Sequence, residues 1–148
     1  QQAVIDFFDR AAANWDAQLV RNEAVIGKIL DNAGLRPGVS VLDVACGTGV
    51  LIPDYLKRGA ARVTAIDIAP EMARLISHLA GLLTPGGTLT VAHGFSRKAL
   101  DAHHAKTARS VSNGLLPVEA LAGLFAKHLT VTVQISNDEM YQVVGQCC

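Results

Sequence analysis

Apolar positions in the first part of the chain recur at helical spacing. Val4, Phe8, Ala11 and Trp15 make one stripe, and Val25, Ile26, Ile29, Leu30 and Ala33 make a second, so two amphipathic helices are predicted at the start. Asn32-Ala33-Gly34 supplies a stop and Arg36-Pro37-Gly38 a turn. The texture then changes from periodic to nearly continuous: Val39 to Ala45 reads as a buried strand, Cys46-Gly47-Thr48-Gly49 breaks it, and a helix follows from about Val50 to Arg58. Arg62 to Ile68 is a second apolar strand. A strand, helix, strand unit of this length implies a parallel pair joined by a right-handed crossover, hence an α/β fold.

Pro70 suits the first turn of a further helix and Glu71 complements its positive end, with Met72, Leu75, Ile76 and Leu79 as the apolar positions. Thr84-Pro85-Gly86-Gly87 ends that run, and Thr88 to Ala92 is a third strand. Ser96 to Ala108 is polar and helical, carrying Arg97, Lys98, His103, His104 and Lys106. Asn113-Gly114 marks a turn, and Pro117 starts a helix whose stripe is Val118, Leu121, Ala122 and Phe125 and which ends near His128. Leu129 to Ser136 alternates apolar with polar, Asn137-Asp138 turns the chain, and Met140 to Val144 closes an antiparallel hairpin.

Composition narrows the partner class. The 148 residues suit one domain, and 13 basic side chains cancel 13 acidic ones, which gives no footprint for nucleic acid or an anionic membrane. A small molecule fits such a surface better. No apolar stretch approaches the ~20 residues a membrane span needs, and the N-terminal region lacks the basic start and apolar run of a secretory signal, so the chain reads as cytoplasmic. Cys46 alone and Cys147-Cys148 as a pair give neither a metal spacing nor a disulfide framework.

The informative segment is the strand that delivers Gly47 and Gly49 at its carboxyl end, where ligands of open parallel sheets sit and where a glycine lets backbone approach them. Asp67, eighteen residues after Gly49 at the end of the second strand, is placed to accept hydrogen bonds from both hydroxyls of a ribose, although a helix cap before Pro70 is the structural alternative. Together these describe a nucleoside site. A dinucleotide would call for a third glycine where Ile52 stands, and Asp43 inside the strand would repel a pyrophosphate. A carboxylate there suits a cationic ligand, which favours a sulfonium amino acid over a nicotinamide dinucleotide.

The segments VLDVACGTGVL, VTAIDIAPEMARL and LLTPGGTLTVAH, in this order, resemble the class I S-adenosylmethionine-dependent methyltransferases of small-molecule type. FFDRAAANWDAQ is similar to their N-terminal cap and SNDEMYQVVG to their closing hairpin. The resemblance implies a Rossmann-like, doubly wound, mostly parallel sheet of seven strands with an antiparallel C-terminal hairpin. It would form a single domain with a helical cap over 1–34 and a core over 35–148. It implies S-adenosylmethionine as cofactor, with Gly47 and Gly49 at its amino-acid portion, Asp43 orienting it, Asp67 on the ribose, and Ile68 and Met72 beside adenine. Cys46 shares the turn, its thiol packed inward, and Trp15 either closes over the cofactor or belongs to a buried helical stripe.

The sequence departs from that pattern in one place. Between Met72 and His78 it passes directly from the helix after the second strand to the helix before the family's fifth, so five strands are counted where the family has seven. Either residues are missing from the numbered chain between 72 and 78, or the chain is a true deletion. The first is favoured, since loss of a central strand would leave unpaired sheet edges beside the cofactor.

Three histidines are the candidate catalytic residues. His93 ends the third strand, and His103 and His104 follow in the polar segment with Arg97, where an imidazole could take the acceptor's proton. A solvated helix and an ordinary strand end are the plain alternatives. A metal held by Asp101, His103 and His104 is set aside, because adjacent histidines point to different helix faces. Asp138 and Glu139 read as a polar turn more readily than as a site for a cationic substrate. The activity expected is methyl transfer to a small-molecule acceptor. The alternatives are a non-catalytic or truncated cofactor-binding remnant and, less favoured, a nicotinamide-dependent oxidoreductase.

Overall fold

The structure, a computed structural model, describes residues 20–46, 49–66, 76–77, 79–107 and 115–148. In chain order its elements are α1 (Glu23–Asn32), β1 (Ser40–Val44), α2 (Ile52–Lys57), β2 (Arg62–Ile66), β3 (Thr88–His93), α3 (Arg97–Thr107), α4 (Val118–Phe125), β4 (Thr130–Ser136) and β5 (Tyr141–Gln146). They fall into two compact units, one of Gln1–Arg21 with Leu35–Ala69 and one of Asn22–Gly34 with Pro70–Cys148.

In the first unit β1 and β2 pair in parallel, from Ser40 opposite Arg62 to Val44 opposite Ile66, with α2 between them in sequence. The predicted strand, helix, strand unit is therefore present. Pro37 packs against Gly59 at the foot of this pair: a Cβ on Gly59 would lie 3.2 Å from Pro37, and the glycine has φ +81°. Backbone bonds from Gly38 to Gly59 and from Ala61 to Val39, both 2.9 Å, extend the pairing beyond the strands.

The second unit holds an antiparallel sheet in the order β3-β5-β4. Asn137 closes the β4–β5 hairpin as an Asx turn, its Oδ1 accepting the N–H groups of Glu139 at 3.0 Å and Met140 at 2.9 Å. β4 alternates exposed and half-buried positions, as its sequence predicts, with an irregularity between Val131 and Val133. β5 does not alternate: Tyr141 to Gly145 are all buried, and the strand runs to Gln146 instead of ending at Val144. The reason is that both its faces are covered. Tyr141 and Val143 pack with Leu121, Phe125 and Leu129 of the α4 region, while Gln142 on the other face reaches α1. A Cβ on Gly145 would lie 2.7 Å from Phe125 and 2.9 Å from Leu129, so α4 approaches at a distance only glycine permits.

The helix 23–32 forms as its stripe predicts. Asn22 caps it by accepting the Val25 N–H at 3.2 Å, and Gly34 leaves it with φ +74°. The earlier stripe with Trp15 lies outside the described residues, as does the seam between 72 and 78 except for Ile76 and Ser77. The α/β class holds. The described strands make one parallel pair and one antiparallel three-stranded sheet. No helix among the described residues is long and apolar enough to cross a membrane.

Candidate functional site

β1 carries Asp43 half-buried near its carboxyl end and then turns sharply. Ala45 has φ +63°, a left-handed conformation unusual for a residue with a Cβ, and Gly49 has φ +81°. The Gly49 N–H donates to the Cys46 carbonyl at 2.9 Å and the Ile52 N–H to the Gly49 carbonyl at 3.0 Å, so the turn passes directly into α2. A Cβ on Gly49 would stand 2.8 Å from the Ile52 side chain. Ile52, the residue that breaks the dinucleotide pattern, thus occupies the space above the glycine.

Two contacts that the sequence reading missed brace this turn. The Tyr55 hydroxyl donates to Asp43 Oδ2 at 3.1 Å, and the tyrosine is buried at 7% exposure. Burial first, and then the charge and hydrogen bond of Asp43 with smaller effects of Asp54 and Cys46, push the Tyr55 hydroxyl well above its ordinary range, so it stays protonated and donates. Arg21 donates to the Val50 carbonyl at 2.7 Å and pairs with Asp54 Oδ2 at 2.8 Å, which ties the segment before β1 to the first turn of α2. Spacing gives no warning of either contact: Asp43 and Tyr55 are 12 positions apart on different elements, and Arg21 stands 33 from Asp54.

Of the expected cofactor residues, Asp43, Cys46 and Gly49 lie in or beside this turn, with Cys46 half-buried. Gly47, Asp67, Ile68, Met72 and Trp15 lie outside the described residues. The chemistry present fits S-adenosylmethionine better than a pyrophosphate, because the strand delivers a braced carboxylate and the third glycine position is filled by Ile52. These residues would hold the amino-acid end of the cofactor.

His93 ends β3 in the second unit. Its Nδ1 accepts the Phe95 N–H at 3.1 Å, and the two rings lie 5.6 Å apart. Ser96 caps α3 through a 3.1 Å bond to the Ala99 N–H, and Arg97 reaches the Leu115 carbonyl at 2.9 Å. The backbones of His103 and His104 lie on α3, and their side chains are outside the described set. Asp138 and Glu139 are exposed in the hairpin turn. Among the described residues no group of three His, Cys, Asp or Glu side chains gathers as a metal site would need.

Residues 41–132, more than half of the chain, match the family model described as a methyltransferase domain. The malonyl-[acyl-carrier protein] O-methyltransferase of Serratia marcescens is 40% identical over 72 residues, which cover 49% of this chain and 28% of that protein. The probable protein arginine N-methyltransferase 3 of Oryza sativa subsp. japonica is 43% identical over 61 residues, 41% of this chain and 10% of that one. The chain thus spans little more than a quarter of the length of these curated relatives at most. Among solved structures, a chain of the complex between the Haloferax volcanii Trm112 methyltransferase activator and the putative methyltransferase superposes with a TM-score of 0.77, covering 97% of each chain at 14% identity, a likeness of fold. The matched stretch starts in β1 and takes in the whole Asp43 turn: the chain belongs to the methyltransferase domain family.

Proposed function

We propose that this chain binds S-adenosylmethionine at the turn after β1 and passes its methyl group to a small-molecule acceptor. The observation that carries the reading is the braced Asp43 carboxylate, which lies near the end of a parallel strand, just before a left-handed turn inside the family match. A carboxylate in that position attracts the cationic amino-acid end of the cofactor and disfavours a phosphate. When bound, S-adenosylmethionine would supply an activated methyl group on a sulfonium that leaves as a neutral thioether, and Asp43, Cys46 and Gly49 would hold its amino-acid end. What remains for the protein is alignment, exclusion of water and, for a protic acceptor, a place for its proton. His93, His103 and His104 are the candidates for accepting that proton. A neutral overall charge supports a small, partly apolar acceptor, although the relatives' names span acyl-carrier-protein and protein-arginine substrates.

Calorimetric titration with S-adenosylhomocysteine and, separately, NAD tests the cofactor. Saturable binding of the first and none of the second is expected, and the reverse order would sink the reading. Transfer of a labelled methyl group to pooled small-molecule fractions tests the acceptor class; label appearing only in protein or RNA would overturn it. Binding without transfer to any acceptor would favour a cofactor-binding remnant.

A further inference from the structure

We propose that Tyr55 is a positioning residue for the cofactor, its hydroxyl holding the Asp43 carboxylate in the orientation that receives the ligand's cationic end. The inference rests on the reading above and adds a residue to it. The last torsion of an aspartate is broad and soft, so a carboxylate at a strand end has no preferred direction of its own. A donor on one oxygen selects a direction, and Tyr55 supplies it at 3.1 Å on Oδ2. The donor is itself well fixed. Its ring is buried, it stands on α2 directly after the turn, and Arg21 pins the start of that helix through the Val50 carbonyl and Asp54. Burial and the neighbouring negative charges keep the hydroxyl protonated across the working pH range, so the bond persists. Tyr55 thus acts through Asp43 and need not touch the ligand.

A double-mutant cycle on the full chain, read as affinity for S-adenosylhomocysteine with melting temperatures alongside, separates positioning from packing. Asp43→Asn is expected to lose most of the affinity. Tyr55→Phe keeps the ring and removes one hydrogen bond, which corresponds to a loss of roughly fivefold, and the double variant should bind no worse than Asp43→Asn alone. Gly145→Ala crowds Phe125 and Leu129, away from the Asp43 turn; if it lowers the melting temperature as much as Tyr55→Phe but leaves affinity in place, stability is not the source of the effect. Asp43→Asn losing affinity while Tyr55→Phe binds normally, or the two losses multiplying, would overturn the positioning role and leave the cofactor reading intact. Unchanged affinity in Asp43→Asn would remove the cofactor reading itself, and the inference with it.

Discussion

Asn32 at the end of α1 donates from Nδ2 to Oε1 of Gln142 in β5, a 2.9 Å bond that joins residues 110 positions apart. Gln142 is fully buried, and its Nε2 donates both to the Ile29 carbonyl at 3.0 Å and to Thr90 Oγ1 at 3.2 Å. One amide therefore ties a helix end to two strands, with its polar atoms satisfied.

Gln142→Leu keeps the volume and takes one partner from each of Asn32 Nδ2, Thr90 Oγ1 and the Ile29 carbonyl around a fully buried position. A loss of roughly 1–3 kcal/mol is expected, because an orphaned buried polar group costs more than a hydrogen bond gains. Asn32→Ala should cost less, about 1 kcal/mol, and add little to the first change. Urea unfolding of the two variants and their double checks this; full additivity would mean that the two side chains act separately.

Gly145→Ala tests the approach of α4 to β5. The new methyl would meet Phe125 at 2.7 Å and Leu129 at 2.9 Å, and neither can retreat easily from the packed cluster. Overpacking of this kind costs roughly 1–3 kcal/mol. A melting temperature within a degree of the parent would show that the cluster can open without strain.

Local pattern made part of this architecture legible in the sequence. The α1 stripe, the parallel unit around residues 46–49, the polar helix, the α4 stripe and the C-terminal hairpin all follow from residues close together in the chain. β5 did not, because its burial depends on α1 and α4 covering opposite faces, and Gln142 within YQVVG reads as an exposed position until Asn32 and Ile29 are brought to it. The site divides in the same way. Asp43, Cys46 and Gly49 announce themselves by spacing, whereas Tyr55 sits in a short helix where nothing in the pattern singles it out from the apolar positions around it. His93 was visible as a candidate, but the bond from the Phe95 amide to its Nδ1 is revealed only by the turn of the backbone.

Ala45 offers a stabilising change. At φ +63° its Cβ is strained by roughly 1–2 kcal/mol, a cost that glycine avoids, while glycine's extra freedom in the unfolded chain returns part of the gain. Ala45→Gly is expected to raise stability by about 0.5 kcal/mol, and Ala45→Val to lower it by roughly 1–2 kcal/mol, since a β-branched side chain tolerates this region worst. Thermal unfolding of both decides it, and a destabilising glycine would mean that the turn gains more from the methyl's packing than it loses to strain.

Alkaline pH should weaken the fold through two tyrosines. Tyr55 and Tyr141 both have hydroxyls pushed above their ordinary value of 10.0, chiefly by burial; Asp43 adds to the effect at Tyr55, while at Tyr141 Arg97 opposes it and Glu119 reinforces it. Each is bonded as a donor, Tyr55 to Asp43 and Tyr141 to the Leu116 carbonyl at 3.1 Å. In the unfolded chain they ionise near the ordinary value and in the folded chain only above it. The stability they contribute is therefore whole below about pH 10 and is lost as pH rises from there toward the folded values. Urea midpoints taken between about pH 8 and 12 should fall above pH 10, and Tyr55→Phe should flatten that fall. A slope indifferent to both Tyr55→Phe and Tyr141→Phe would place the alkaline transition elsewhere, on groups whose protonation differs between the two states for another reason.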